Sequence, residues 1–408
     1  MRILVHDYAG HPFQAQLSRA LARRGHTVRH AYCASLQTTP LSVAERPGAD
    51  ADTFEIADLR LAQPLEKYAY FRRWRQENAY GRLVAAEVDR FRPDVVLSGN
   101  TPLDAQRLLL RRCRARDVRF VFWVQDLIGV ASERLLRKAI PGLGAFIGSY
   151  YARLERRLLR QSDQVVLITD DFRPLLRRWA VPEAKMHTIE NWAPLEDLPV
   201  RPKQNPWSRR HGLENRCCLM YTGTMGMKHN PDVLLRLALH LRDRPDPAGR
   251  GQAVCVVVVS QGLGADWLRQ RKDEFDLDNL LVLPFAPFSD LPDVMATADV
   301  LLAVLEPDAG VFSVPSKVLA YFCAARPMVL AVPPENLAAR LVRERGAGLV
   351  VSPSDAEGFV EAATSLLDAP ARRAQLGRSA RAYAEEAFDI QSIADAFEDV
   401  LEQACTDA

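Results

Sequence analysis

No apolar run in this chain approaches the roughly 20 residues that a helix needs to cross a bilayer, so nothing in it reads as a membrane span. Met1-Arg-Ile-Leu-Val is a strand start and has neither the charge pattern nor the apolar stretch of a signal peptide. Cysteine is sparse: Cys33, Cys113, Cys217, Cys218, Cys255, Cys323 and Cys405 make an odd set without metal-ligand spacing, mostly in apolar runs. That pattern excludes a disulfide framework and a zinc site and suits a reducing, cytoplasmic compartment. An excess of positive charge is missing too. Lys and Arg total 53 against 51 Asp and Glu, so no nucleic-acid partner is expected.

What the chain does have is alternation. At 408 residues it is too long for one core and suits two or three domains. Residues 2–5 read as a buried strand, 15–24 as a helix stopped at Gly25, and 27–31 as the next strand. The rhythm recurs with strands at 94–97, 119–124 and 164–168, which argues for a parallel sheet covered on both faces. Between Asn191 and Trp207 it breaks into a proline-rich polar stretch that reads as a linker. A second series follows, with strands at 218–221, 253–259, 280–283, 300–304, 328–331 and 348–351, and residues 371–404 read as mainly helical. The expected fold class is α/β, two doubly wound Rossmann-like domains with a ligand in the cleft at the carboxyl ends of their strands.

Polar turns at those strand ends carry the chemistry. In Val311-Phe-Ser-Val-Pro-Ser-Lys-Val-Leu-Ala-Tyr321, Ser313 and Ser316 are natural N-cap residues, Pro315 suits a first helical turn, and Lys317 adds a charge beside it. Free helical N–H groups with a neighbouring lysine make a phosphate-sized anion site. The alternative is an ordinary capped helix with a solvated lysine. Thr222-Gly-Thr-Met-Gly-Met-Lys228 repeats the theme: Gly223, Thr224 and Gly226 let backbone amides approach a phosphate that Lys228 neutralises. Two such turns in one domain suit a diphosphate, although a lone glycine turn is more often a tight connection. Pro284 and Pro287 stiffen a loop in which the backbone at Ala286 could meet a nucleobase edge and Phe285 or Phe288 pack beside it; a plain connector fits equally well.

In the first half, Gln125 and Asp126 stand just past a buried strand, where Asp126 could orient or deprotonate a hydroxyl and Gln125 bond one. An aspartate capping the next turn is the alternative. Gly10 and His11 follow the first strand, and Ser98, Gly99 and Asn100 follow another. Neither half has an Asp-X-Asp pair at a strand end, which removes the usual carboxylate clamp for a metal on a diphosphate. The segment 134–160 mixes arginines with apolar and aromatic residues, as a helix lying on an anionic bilayer does; a helix packed on its own domain with a solvated basic face is the alternative.

These segments resemble a known family. Gln125-Asp-Leu127, Ile189-Glu-Asn-Trp192, Tyr221 to Lys228, Ala298-Asp-Val300, Pro315 to Tyr321 with Arg326-Pro327, and Gly377 to Phe388 are similar, in order, to the two-domain (GT-B) glycosyltransferases of family 4, most of all those of bacterial O-antigen and colanic-acid type exopolysaccharide assembly. The resemblance implies a retaining, metal-independent, hexosyltransferase-type enzyme without a cofactor. Its donor is a nucleotide sugar, with UDP the first expectation. Its acceptor is a polyprenyl-diphosphate-linked saccharide or growing polysaccharide at the inner face of the membrane, with peripheral contact through 134–160.

The resemblance places the donor diphosphate at Lys228 and the turn with Ser313, Ser316 and Lys317, and catalysis at Asp126 and Gln125. The strand ends and turns add Gly223, Thr224, Gly226, Phe285 and Ala286 for the donor and Gly10, His11 and Asn100 for the acceptor. The implied domains are 1–195 for the acceptor, 196–385 for the donor, and a C-terminal helix, 386–408, returning to the first. The chain departs from the family in three places. Gln125 stands where many members have histidine, Thr224 where arginine is usual, and Phe312 and Ala320 where two glutamates are common; Glu306 or Asp308 could substitute for those. The other readings are a catalytically silent nucleotide-sugar-binding scaffold and a GT-B type 2-epimerase.

Overall fold

Short apolar runs flanked by turn residues become buried strands, and the helices between them cover both faces of the sheets so formed. A computed structural model describes residues 1–36, 53–63, 65, 70–139, 143–226, 229–244, 254–307 and 315–406. It divides into two units, Met1–Glu190 with Ile390–Ala408, and Asn191–Asp389.

The first unit runs β1 (Arg2–Asp7), α1 (Pro12–Arg23), β2 (Thr27–Cys33), β3 (Phe54–Leu59), α2 (Tyr70–Phe91), β4 (Val95–Gly99), α3 (Leu103–Ala115), β5 (Arg119–Val124), α4 (Ile128–Ala139), α5 (Leu143–Gln161), β6 (Gln164–Leu167), α6 (Arg173–Arg178) and β7 (Met186–Thr188). Its seven strands are all parallel in the order β3-β2-β1-β4-β5-β6-β7. The order reverses between β1 and β4. Helices therefore leave the sheet on opposite faces there and open a crevice at the strand ends.

The second unit runs α7 (Pro206–Arg210), β8 (Cys218–Thr222), α8 (Asp232–His240), β9 (Cys255–Val259), α9 (Leu263–Phe275), β10 (Leu280–Leu283), α10 (Leu291–Thr297), β11 (Val300–Val304), α11 (Ser316–Cys323), β12 (Met328–Ala331), α12 (Leu337–Glu344), β13 (Gly348–Val351), α13 (Ala356–Leu367) and α14 (Pro370–Ala387). Six parallel strands take the order β10-β9-β8-β11-β12-β13, with the reversal between β8 and β11. The last helix, α15 (Ile390–Thr406), belongs to the first unit. Its Phe397 meets Trp123 of β5 edge-on at 4.7 Å, and Glu398 takes His26 at 2.7 Å and Arg24 at 2.8 Å.

The doubly wound α/β class holds in both units. The stretch expected as a linker is more ordered than its prolines suggest. Trp192 and Trp207 are buried, and Asn205 forms a capping box with Ser208 at the start of α7. The Asn205 amide also donates to the Asp293 carbonyl at 3.0 Å, fixing this stretch to the second unit. Among the described residues no helix is long and apolar enough to cross a membrane.

Candidate functional site

At the β1/β4 reversal the chain leaves β1 at Asp7, whose carboxylate is buried. It accepts the Ala9 N–H at 3.1 Å and the His11 N–H, and both of its oxygens lie 3.2 Å from His11 Nδ1. Gly10, at φ 71°, permits the tight return that brings His11 back over Asp7. Asn100, which follows β4 at φ 54°, places its amide nitrogen 3.3 Å from the same imidazole nitrogen. Gly10, His11 and Asn100 are thus brought together.

Burial pulls the His11 pKa down, but the charge and hydrogen bond of Asp7, helped by Asp126, outweigh it and raise it. Burial likewise pushes the Asp7 carboxyl up, and His11 outweighs it, leaving it below its ordinary value. The pair favours imidazolium beside carboxylate. Gln125, buried, and Asp126, exposed, emerge from β5, the neighbour of β4.

At the β8/β11 reversal a lysine takes the central place. Gly223, at φ 105°, turns the chain out of β8; its N–H donates to the Val259 carbonyl at 3.1 Å and its carbonyl accepts the Ser260 hydroxyl at 2.7 Å. Met225 N–H donates to the Gln261 carbonyl at 3.1 Å, so the glycine turn lies along the end of β9. Over it reaches Lys317, second residue of α11. Its ammonium donates to the Tyr221 hydroxyl and lies 3.6 Å from the centre of that ring. Tyr221 passes a hydrogen bond on to the Thr224 carbonyl at 3.0 Å. A Cβ on Gly223 would stand 3.3 Å from Lys317 Cε, so the absence of a side chain there leaves the lysine its path. One turn on, the Tyr321 hydroxyl accepts the Thr222 N–H at 2.9 Å and donates to the Leu302 carbonyl at 3.1 Å, tying α11 across β8 and β11.

The structure therefore gathers Gly223, Thr224 and Lys317. Ser316 requires a correction as an N-cap. Pro315 holds the cap position without a side-chain bond, and Ser316, exposed, is the first helical residue. Gly226 follows in the same loop, its N–H donating to His229 Nδ1 at 3.1 Å. Phe285, exposed, and Ala286 follow β10, two strands away from β8. Lys228 and Ser313 lie outside the described residues, as do Asp308 and Phe312. Sequence reasoning missed Asp7 and Tyr221. Their signals were present: an aspartate four residues before His11, and a tyrosine two before the glycine turn.

The Glycosyl transferase 4-like domain family matches residues 10–192, and the Glycosyl transferases group 1 family matches residues 216–369. Comparison with curated protein sequences gives no match. Among solved structures, sucrose-phosphate synthase of Thermosynechococcus elongatus is similar at a TM-score of 0.72 and 16% identity, covering 99% of this chain and 98% of its own. HepE of Anabaena in complex with UDP-glucose is similar at 0.70 and 14%, covering 98% and 99%. WaaG, a glycosyltransferase involved in lipopolysaccharide biosynthesis, is similar at 0.68 and 17%, covering 98% and 99%. At these identities the likeness to solved structures speaks for the fold, and the two successive family matches carry the rest: the chain belongs to the GT-B glycosyltransferases of family 4 type.

Proposed function

We propose that this glycosyltransferase moves a sugar, with retention and without a metal, from a UDP-sugar held by the second unit to a lipid-linked or growing polysaccharide acceptor held by the first. The observation that carries the reading is Lys317 laid over the glycine turn at the β8/β11 reversal. An ammonium in the first turn of α11, whose cap residue offers its amides no side-chain bond, is a preorganised seat for a leaving diphosphate. HepE, solved with UDP-glucose, supports uridine as the base. The acceptor hydroxyl attacks the anomeric carbon from the face the diphosphate leaves. The carbon–oxygen bond to phosphate breaks, and the hydroxyl proton passes to the departing phosphate oxygen. Asp126 orients the attacking hydroxyl, Gln125 bonds a neighbouring one, and His11 with Asn100 receives the acceptor.

Cell-surface polysaccharide assembly at the inner membrane, of O-antigen or exopolysaccharide type, is the setting this implies. On α5, Phe146 is 71% exposed and Tyr150 44% exposed, and Arg153, Arg157 and Arg160 follow them to solvent. Exposed aromatics followed by arginines support peripheral contact with anionic lipid.

Thermal-shift binding against UDP, GDP, ADP and TDP, with and without magnesium, tests the donor reading. A rise in Tm with UDP alone, unchanged by magnesium, is expected. Silence across the panel would instead support a scaffold without a donor site. Co-sedimentation with anionic liposomes at rising salt tests the membrane contact, and no capture even at low salt would remove it.

A further inference from the structure

Glu155 sits in the basic stretch Arg-Leu-Glu-Arg-Arg of α5, where a carboxylate would ordinarily be solvated, yet it is only 1% exposed. Its Oε2 accepts the Gly129 N–H at 3.0 Å, in the first turn of α4. The approach is possible only because residue 129 is glycine: a Cβ there would stand 2.8 Å from Oε2, 2.8 Å from the Tyr151 carbonyl oxygen and 2.9 Å from Ala152 Cα. At the other end of the same helix pair a Cβ on Gly148 would stand 2.5 Å from Glu133 Cα, so α4 and α5 are in close contact at two points. The Gly129 N–H is the one that an N-capping aspartate at position 126 would take. Here α5 supplies the cap, and the turn that presents Gln125 and Asp126 is fastened from below.

We propose that Glu155 is a positioning residue for the Gln125–Asp126 turn, holding it in place as a neutral acid and loosening it when ionised.

The chemistry is that of two carboxyls in opposed surroundings. Asp126 is exposed to water, whereas Glu155 is enclosed. Burial pushes the Glu155 pKa from 4.5 to about 8; the amides of Gly129, Ile128 and Val130 pull the other way, and the charge of Asp126 adds to the rise. Among the described residues, Arg153 and Arg157 of α5 are exposed, and other charged groups near the helix pair have partners of their own. Glu133 of α4 accepts from Ser149 at 3.4 Å, and Arg156 of α5 donates to the Trp179 carbonyl at 3.3 Å. Asp104 of α3 is held by Tyr151 at 3.2 Å, Arg107 at 3.3 Å and Tyr150 at 3.4 Å. Among the described residues no cation pairs with Glu155, and its Oε1 has no partner. At neutral pH, then, Oε2 takes the amide and Oε1 keeps the proton. Above pH about 8 a second negative charge faces Asp126 from a desolvated seat.

The consequence for activity rests on the proposed function, but the test does not. Infrared difference spectra of the full chain are recorded between pH 6 and 9, with Glu155→Gln as the comparison and Glu77→Gln as control, because burial raises the Glu77 carboxyl above its ordinary value as well. The expected result is a neutral-carboxyl carbonyl band that fades through pH about 8 and is missing in Glu155→Gln alone. Hydrogen exchange of amides 128–130, corrected for intrinsic rate, should quicken over the same range in the parent and stay level in E155Q. A carboxyl at 155 that titrates in the ordinary range, or amides indifferent to its charge, overturns the proposal; the parent protein alone decides both, should the variant fail to fold. If sugar transfer is measured, kcat should fall through that pH window with donor KM unchanged, and E155Q should lack the fall. A titrating band without any transfer would count against the proposed function and leave Glu155 standing, whereas transfer with a flat profile would remove it as a positioning residue.

Discussion

At the exits of β1 and β8 the two units face the same topological situation with different materials. The first sets a buried aspartate under a histidine; the second sets a buried tyrosine under a lysine. The contrast extends into their interiors. Among the described residues every buried His, Asp or Glu (His6, Asp7, His26, His30, Glu87, Asp104 and Glu155) belongs to the first unit. The buried polar residues of the second, such as Asn205, Thr222, Ser260 and Asn336, carry no charge. His6 shows how the first unit manages this: Ser98 lies 2.9 Å from Nδ1 and Tyr80 2.8 Å from Nε2, so the ring is satisfied while neutral. One fold can thus be built with buried His, Asp and Glu or without them, and the first arrangement couples stability to pH the more strongly.

Acid should therefore separate the two units, and this is the largest effect expected. Burial lowers the His6 pKa from 6.5 to about 3 and that of His30 to about 4. A depressed histidine contributes stability that is complete above the unfolded value and is lost as pH falls toward the folded one. Glu155 acts in the opposite sense, because a raised carboxyl pKa costs stability progressively as pH rises from 4.5 toward 8. Glu77, raised by burial as well, acts with Glu155, and the two deeply depressed histidines leave a net loss on acidification. Hydrogen exchange read by mass spectrometry should show strands β1 to β6 losing protection between pH 6.5 and 4 while β8 to β13 keep theirs. Simultaneous loss in both units would break the comparison.

A steric probe sharpens it from the other side. Gly348 opens β13 beside β12, and a Cβ there would press on the Met328 carbonyl oxygen, which is backbone and cannot swing aside. Gly348→Ala should cost about 2 to 3 kcal/mol, seen as a lower Tm for the second unit at every pH between 4 and 8. A loss that depends on pH would show that this unit has a titrating interior after all.

How far the sequence disclosed this contrast follows from which residues betray their surroundings. Strands β5, β10, β11, β12 and β13 were legible to the residue because both faces are apolar and glycine, proline or charge bounds them. Edge strand β3, Phe-Glu-Ile-Ala-Asp-Leu, and three-residue β7 were not, since edge positions accept charge and so lose the pattern. Around the sites, the glycine turn and Lys317 were legible and the groups beneath them were not. Tyr221 looks like any core aromatic in a strand, and Asp7 like any strand end. The run 134–160 read as one basic surface, but it lies on two helices, α4 and α5, and turns Glu155 inward beside Leu154, Leu158 and Leu159.

The donor side offers two smaller effects that test the lysine and the phenol separately. Lys317→Ala should weaken UDP binding by about 30-fold, or about 2 kcal/mol, by calorimetry, while leaving Tm nearly unchanged, since a half-buried lysine adds little to the fold. Equal affinity would take Lys317 out of the donor site.

Tyr221→Phe is subtler, because the ring stays and only the hydroxyl goes. That hydroxyl does two things: it accepts from the Lys317 ammonium and donates to the Thr224 carbonyl at 3.0 Å. Burial holds its pKa well above the ordinary value, so it remains a neutral donor at any working pH. Without it the ammonium keeps the ring face but loses its fixed partner, and the glycine turn loses a tether. If Tyr221 preorganises the lysine, the penalty should appear as a three- to tenfold weaker UDP affinity, about 1 kcal/mol, and should vanish when Lys317 is already alanine. Equal penalties in both backgrounds would mean that the hydroxyl serves the turn alone, and the parallel between a phenol under a lysine and an aspartate under a histidine would be one of position and not of mechanism.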